Sequence, residues 1–130
     1  FKLLIIIPIK VTGLVYWVLD HQVSEKFYKK SGFKIVESNE RHTILTLDDF
    51  ELTLVSIRDE TEFAEDAMTS GKGKGSYLYV KVGDVDELYN KLTGAALETS
   101  SVPRDWGWGN REFVIKDPDG YKICFWQKTA

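Results

Sequence analysis

A chain of 130 residues, 43% hydrophobic and 28% charged, is sized for one domain or for two small halves sharing a core. At this length about two-thirds of the unfolded surface is buried on folding, so neither a disulfide nor a metal is needed to fold it. The composition excludes disorder, collagen-like repeats and a disulfide scaffold. Seventeen Lys and Arg against twenty Asp and Glu leave a net charge of −3, which argues against nucleic acid and anionic membranes and favours a neutral or cationic ligand.

Four Trp, six Tyr and seven Phe exceed what so small a core requires, so some are expected to line a site. The single cysteine, Cys124, cannot close an intramolecular bridge, which points to a reducing, cytoplasmic compartment. No apolar run reaches the roughly 18 residues of a membrane helix.

Phe1 to Pro8 reads as a β-branched strand ended by proline. Its apolar run is short and no small-residue cleavage site follows, which separates it from a signal peptide. Gly13 to Leu19 alternates as a second strand. Asp20 caps a helix that carries Phe27 and Tyr28 and stops at Ser31-Gly32. Strands follow at Phe33–Val36, His42–Leu47 and Phe50–Ile57, the last two joined by Asp48-Asp49. Residues 58–75 are polar and end in a glycine–lysine run; they read as a flexible connector with solvated lysines. The glycine spacing is wrong for a phosphate loop, and a strand follows instead of a helix. Beyond it come a strand at Ser76–Val82, a helix from Asp84 to near Gly94, and a short, weak run at Ala95–Glu98. Arg111–Lys116 and Tyr121–Gln127 complete the series around the turn Asp117-Pro118-Asp119-Gly120.

The pattern occurs twice. Val18-x-Asp20 returns as Val82-x-Asp84, each followed by a helix with a tyrosine, Tyr28 or Tyr89, and a closing glycine, Gly32 or Gly94. The repeat is β-α-β-β-β, and a repeat of this length has to be settled before any motif is weighed. It divides the chain into a first module at 1–57 with an extra N-terminal strand, a connector at 58–75 and a second module at 76–130, within one integrated domain.

These residues resemble the vicinal oxygen chelate superfamily, which includes glyoxalase I, extradiol dioxygenases and the fosfomycin- and bleomycin-resistance proteins. The first half carries the pattern as Asp20-x3-Ser24-x2-Phe27-Tyr28-x3-Gly32-Phe33. The second carries Asp84-Val85-Asp86-Glu87-Leu88-Tyr89, then Trp108-Gly109-Asn110-Arg111-Glu112-Phe113-x3-Asp117-Pro118-Asp119-Gly120. The latter segment is most similar to the bleomycin-resistance branch. The resemblance implies an α+β fold in which two βαβββ modules form a curved mixed sheet around a cleft, the glyoxalase/bleomycin resistance/dihydroxybiphenyl dioxygenase fold. It also implies a homodimer, with a cleft that in many members involves both chains.

In the metal-using members, four His, Gln or Glu ligands sit on the first and last strand of each module. Here those positions fall at Gly13, Thr53, Tyr77 and Cys124; a shift of register would bring in Glu51. This donor set implies no metal, and no cofactor is expected. His21 and His42, the only histidines, are expected to be solvated, at a helix start and in an outer strand. Cys124 lacks a histidine base on the concave face, so it reads as a semi-buried thiol and not a nucleophile.

Strand alternation puts Trp17, Tyr77, Tyr79 and Trp126 on the face where a metal would sit, with the aliphatic residues on the other. Trp106 and Trp108 lie on a glycine-containing loop beside it, and Glu112 is positioned to point into the cleft. The expected ligand-binding set is therefore Trp17, Tyr77, Tyr79, Trp106, Trp108, Glu112 and Trp126, with no catalytic residue. An aromatic cleft suits a flat or cationic small molecule held by stacking and cation–π contact. The expectation is a metal-free binding protein that sequesters such a ligand, for example an antibiotic. The alternatives are a metal-dependent lyase or dioxygenase of the same superfamily, and an interaction module whose aromatics are buried between chains.

Overall fold

The structure, a computed structural model, describes residues 7–56 and 61–130. Of the strand expected at Phe1 to Pro8, only Ile7 and Pro8 are described, and they are in no strand. Ile57 and residues 58–60 of the expected connector lie outside the described residues.

The first half contains β1 (Gly13–Trp17), α1 (His21–Lys30), β2 (Lys34–Ser38), β3 (His42–Leu47) and β4 (Phe50–Val55). The second contains α2 (Thr61–Met68), β5 (Tyr77–Lys81), α3 (Val85–Gly94), β6 (Arg104–Asp105), β7 (Asn110–Lys116) and β8 (Lys122–Lys128). Two four-stranded sheets result, ordered β1-β4-β3-β2 and β5-β8-β7-β6. In each, the first strand runs parallel to the last and the other neighbours are antiparallel. A parallel pair needs a crossover, and α1 and α3 lie between the strands that form it. The two sheets thus repeat one topology, as expected from the sequence.

Caps and turn residues set these boundaries. Asp20 accepts the N–H of Gln22 and Asp84 that of Glu87, at 3.0 Å each, satisfying donors at the helix starts. Gly32, at φ +110°, leaves α1 in a conformation closed to most side chains. α3 ends at Gly94, as expected, and the left-handed residue that follows it is Ala96, at φ +61°. His21 is buried, contrary to the sequence expectation. Its ring nitrogens meet Ser56 Oγ at 2.5 Å and the Asn39 carbonyl at 2.7 Å, joining the helix start to the end of β4 and the β2–β3 turn. His42 is half-buried against Glu37, 2.7 Å away.

The core takes one face of each sheet. Leu45, Leu52 and Leu54 from the first and Phe113, Ile115, Ile123 and Phe125 from the second pack with Tyr28, Val85 and Leu92 of the helices. The Asp117–Gly120 turn then fastens one half to the other. Asp117 accepts the Tyr28 hydroxyl at 2.7 Å and the N–H groups of Asp119 and Tyr121 at 2.9 Å. Burial pushes the Tyr28 phenol and the Asp117 carboxyl up from their ordinary values. The Tyr121 ring stacks on Tyr16 with centroids 3.9 Å apart, and its hydroxyl donates to the Trp17 carbonyl. Asp119 accepts the Leu19 N–H at 2.9 Å and the Lys72 ammonium at 2.7 Å.

Two expectations are corrected here. Within the stretch expected to be a solvated connector, residues 61–68 are helical and Lys72 is buried, its ammonium also donating to the Ala67 carbonyl. A buried ammonium needs such partners, and Asp119 supplies the charge. The run Ala95–Glu98 forms no strand; the edge strand is Arg104–Asp105 instead. No helix among the described residues is long and apolar enough to cross a membrane.

Candidate functional site

The face of the second sheet turned away from the core carries a cavity of about 730 Å³, within the usual range for small-molecule sites. Its walls come from β5 (Tyr77, Tyr79), the β6–β7 hairpin (Arg104, Trp106, Trp108, Glu112) and β8 (Cys124), with Ser101 and Val102 at the edge. Two glycines give the hairpin its tight tip: the Trp106 N–H donates to the Asn110 carbonyl and the Gly109 N–H to that of Trp106. Gly109 sits at φ +88°, which favours glycine. On the other face of β7, Arg111 grips Asp86 of α3 with two nitrogens at 2.9 Å and Asp105 at 3.1 Å. This ties the hairpin to the helix, and the guanidinium holds Asp86 below the usual carboxylate range.

The tip presents two tryptophans in a stack. Trp106 and Trp108 lie 4.7 Å apart at 12°, and the Arg104 guanidinium covers the Trp106 ring at 3.6 Å. Trp108 remains 62% exposed, a large apolar surface with no core to fill. Tyr77 and Tyr79 are also exposed.

Glu112 braces the floor. Its Oε2 accepts from the Tyr79 hydroxyl, from Trp108 Nε1 at 3.1 Å and from Asn110 Nδ2 at 3.3 Å. Its Oε1 accepts the Cys124 thiol at 3.4 Å. Although its burial disfavours the charge, these donors outweigh that and hold the carboxyl below its ordinary value. Glu112 thereby fixes a wall tryptophan and a wall tyrosine. The Cys124 thiol, buried beside this carboxylate, is pushed up to about 12. It is therefore protonated at neutral pH and a poor nucleophile. Alkylation of Cys124 by iodoacetamide at pH 8 is expected to be at least about tenfold slower than that of free cysteine and faster in Glu112→Gln, which removes the neighbouring charge. Equal rates for protein and free thiol would contradict this environment.

Five of the seven residues expected to bind ligand line this cavity: Tyr77, Tyr79, Trp106, Trp108 and Glu112. Trp126 does not line it but lies beside it on the same sheet face, stacked on Tyr79 at 5.3 Å. Trp17 lies on β1, in the other sheet, and is not part of the wall. Nothing local in the sequence marks Arg104, which also lines the cavity. A charged residue in an aperiodic stretch looks like solvated loop, and only its pairing with Glu112 across β6 and β7 reveals its place.

The four positions to which the resemblance assigns metal ligands, Gly13, Thr53, Tyr77 and Cys124, do not fit a metal here. A Cβ on Gly13 would lie 1.8 Å from the Glu51 carbonyl oxygen, so this backbone admits no ligating side chain there. Thr53 offers a hydroxyl, Tyr77 a phenol, and Cys124 a protonated thiol already bonded to Glu112. Among the described residues no three His, Cys, Asp or Glu side chains gather as a ligand set. Gly13→Ala is expected to destabilise the fold by about 1–3 kcal/mol, the usual range for overpacking, in a denaturant titration; an unchanged midpoint would show that β1 and β4 separate freely.

Comparisons with known proteins agree on the fold. No curated protein matches the chain. A glyoxalase/bleomycin resistance protein/dioxygenase from Nocardioides superposes with a TM-score of 0.77 at 19% identity, covering 97% of this chain and 91% of the other. An antibiotic binding protein from a Streptomyces species gives 0.73 at 21% identity, covering 95% and 99%. A lactoylglutathione lyase from Agrobacterium tumefaciens gives 0.70 at 17% identity, covering 92% and 93%. The family described as the Glyoxalase/Bleomycin resistance protein/Dioxygenase superfamily matches residues 10–125, and this chain belongs to it.

Proposed function

We propose that this protein is a metal-free small-molecule binding protein that encloses a flat aromatic ligand, such as an antibiotic, without bond chemistry. The observation that carries the reading is the braced aromatic wall: stacked Trp106 and Trp108, with Tyr79, held through one buried carboxylate. Such a wall supplies area and stacking geometry. The protonated thiol nearby and a lining rich in aromatic rings favour binding over bond chemistry. The ability of one relative to bind an antibiotic supports the same reading.

We further propose that it acts as a homodimer in the cytoplasm. All residues lining the cavity belong to the second half, while the first half leaves Leu14, Val15 and Val36 exposed. A second copy would cover apolar surface of that kind, and a protonated lone thiol suits a reducing compartment.

The test is a tryptophan fluorescence titration with metal-free bleomycin and with planar aromatic antibiotics. Saturable quenching, with calorimetric binding of the same ligand lost when Trp106 and Trp108 are both Ala, supports the reading. Binding that persists in that variant would place the ligand elsewhere and contradict it.

A further inference from the structure

The cavity face can be mapped row by row from the strand pairing. Tyr77 lies beside Lys122, and Lys122 beside Lys116. Lys81 lies beside Trp126, which neighbours Glu112, which in turn neighbours Arg104. Asn110 lies beside Lys128. Alternation along each strand puts all of these on one face, and Phe113, Ile115, Ile123 and Phe125 occupy the opposite one, in the core. Five cations and one carboxylate thus share this face, on a chain whose net charge is −3, and of the five cations Arg104 lines the cavity itself.

None of the five has a carboxylate within ion-pair distance among the described residues. Three lie over rings of this face instead: Arg104 at 3.6 Å from the Trp106 centroid, Lys122 at 4.1 Å from that of Tyr77 and Lys81 at 5.2 Å from that of Trp126. The one carboxylate, Glu112, already meets four donors from the protein. Its negative charge is therefore answered internally, while the positive charges are not. A guanidinium lying flat on an indole still has its N–H edge available for an acid group.

We propose that the ligand is an aromatic anion: a planar ring on the tryptophan and tyrosine walls, with a carboxylate, sulfonate or phosphate at the Arg104 edge. Lys81 and Lys122 add to the field that draws it in. This inference rests on the reading of the cavity as the ligand site. It replaces the cationic ligand expected from net charge, because an average over the whole chain hides a face of opposite sign.

The test compares two fluorescent probes with one ring system, anionic 8-anilinonaphthalene-1-sulfonate and its neutral parent N-phenyl-1-naphthylamine, on the full chain. The sulfonate is expected to bind about tenfold or more tightly at low salt, as one charge-assisted contact allows. Arg104→Gln is expected to narrow that preference to within about threefold, and added salt to weaken the anionic probe selectively. Equal affinity, or tighter binding of the neutral probe, overturns the inference. If both probes then lose affinity together in Trp106→Ala/Trp108→Ala, the cavity stands as the site and only the anionic preference falls. If neither probe binds, or both bind that variant undiminished, the site reading falls as well. Displacement of the dye by an oligothymidylate at concentrations where thymidine monophosphate does not compete overturns the small-molecule form.

Discussion

Replacing Asp119 with alanine is expected to lower stability by about 3–5 kcal/mol, the range for breaking a buried ion pair by removing one partner. The side chains of Lys72 and Asp119 are only 4% and 5% exposed, so the stranded ammonium would have no water to turn to. The same substitution leaves the Leu19 N–H without its acceptor. For a chain of this length the melting temperature should fall by about 10–20 °C. Asp119→Asn keeps two polar atoms in place and should cost less. Removing both charges, as Lys72→Met with Asp119→Leu, should recover part of the loss, since an apolar pair of similar volume is often no less stable than a buried ion pair. Thermal unfolding of the three variants checks this. A loss below about 1 kcal/mol for Asp119→Ala would show the pair to be solvated and the Asp117–Gly120 turn to be a minor clasp.

The second large effect is on binding. Changing both Trp106 and Trp108 to alanine should weaken an aromatic ligand about 100-fold, close to 3 kcal/mol for two stacked rings. The same change should alter stability by less than about 1 kcal/mol, because Trp108 is largely exposed and the hairpin is held from its other face by Arg111. Glu112→Ala should reproduce part of the binding loss with the rings present, since Trp108 and Tyr79 lose their common acceptor. Binding by calorimetry beside unfolding by denaturant separates the two quantities. A variant that loses binding and stability in the same proportion would mark the tryptophans as core.

How far the sequence discloses this depends on whether a feature is local. Asp20 and Asp84 mark helix starts because a cap is written in one side chain and its neighbours. Alternation in β4, β5 and β8 separates Leu52, Leu54, Leu78, Ile123 and Phe125 from Tyr77, Tyr79 and Cys124, because the pleat has a period of two. The repeat supplies the rest of the topology. What was not legible depends on contact at a distance. Strand β6 is two residues long and exists through its pairing with Arg111 and Glu112, so no periodicity announces it. Lys72 reads as solvated among glycines until the Asp119 carboxylate, 47 residues away, is brought against it. His21 reads as solvated for the same reason, its partners being Ser56 and Asn39. Arg104 gains meaning only from the ring it covers and the carboxylate opposite, and the charge of a face can be read only once the face is known.

The central claim, an aromatic site that needs no metal, is tested most directly by titrating 8-anilinonaphthalene-1-sulfonate into the chelator-treated protein and again with excess nickel or zinc present. The account predicts one dissociation constant under both conditions, with binding lost in Trp106→Ala/Trp108→Ala. Binding that requires the divalent ion, with the ion bound stoichiometrically by the protein, would contradict it and restore the metal-dependent enzymes of the superfamily as the better comparison.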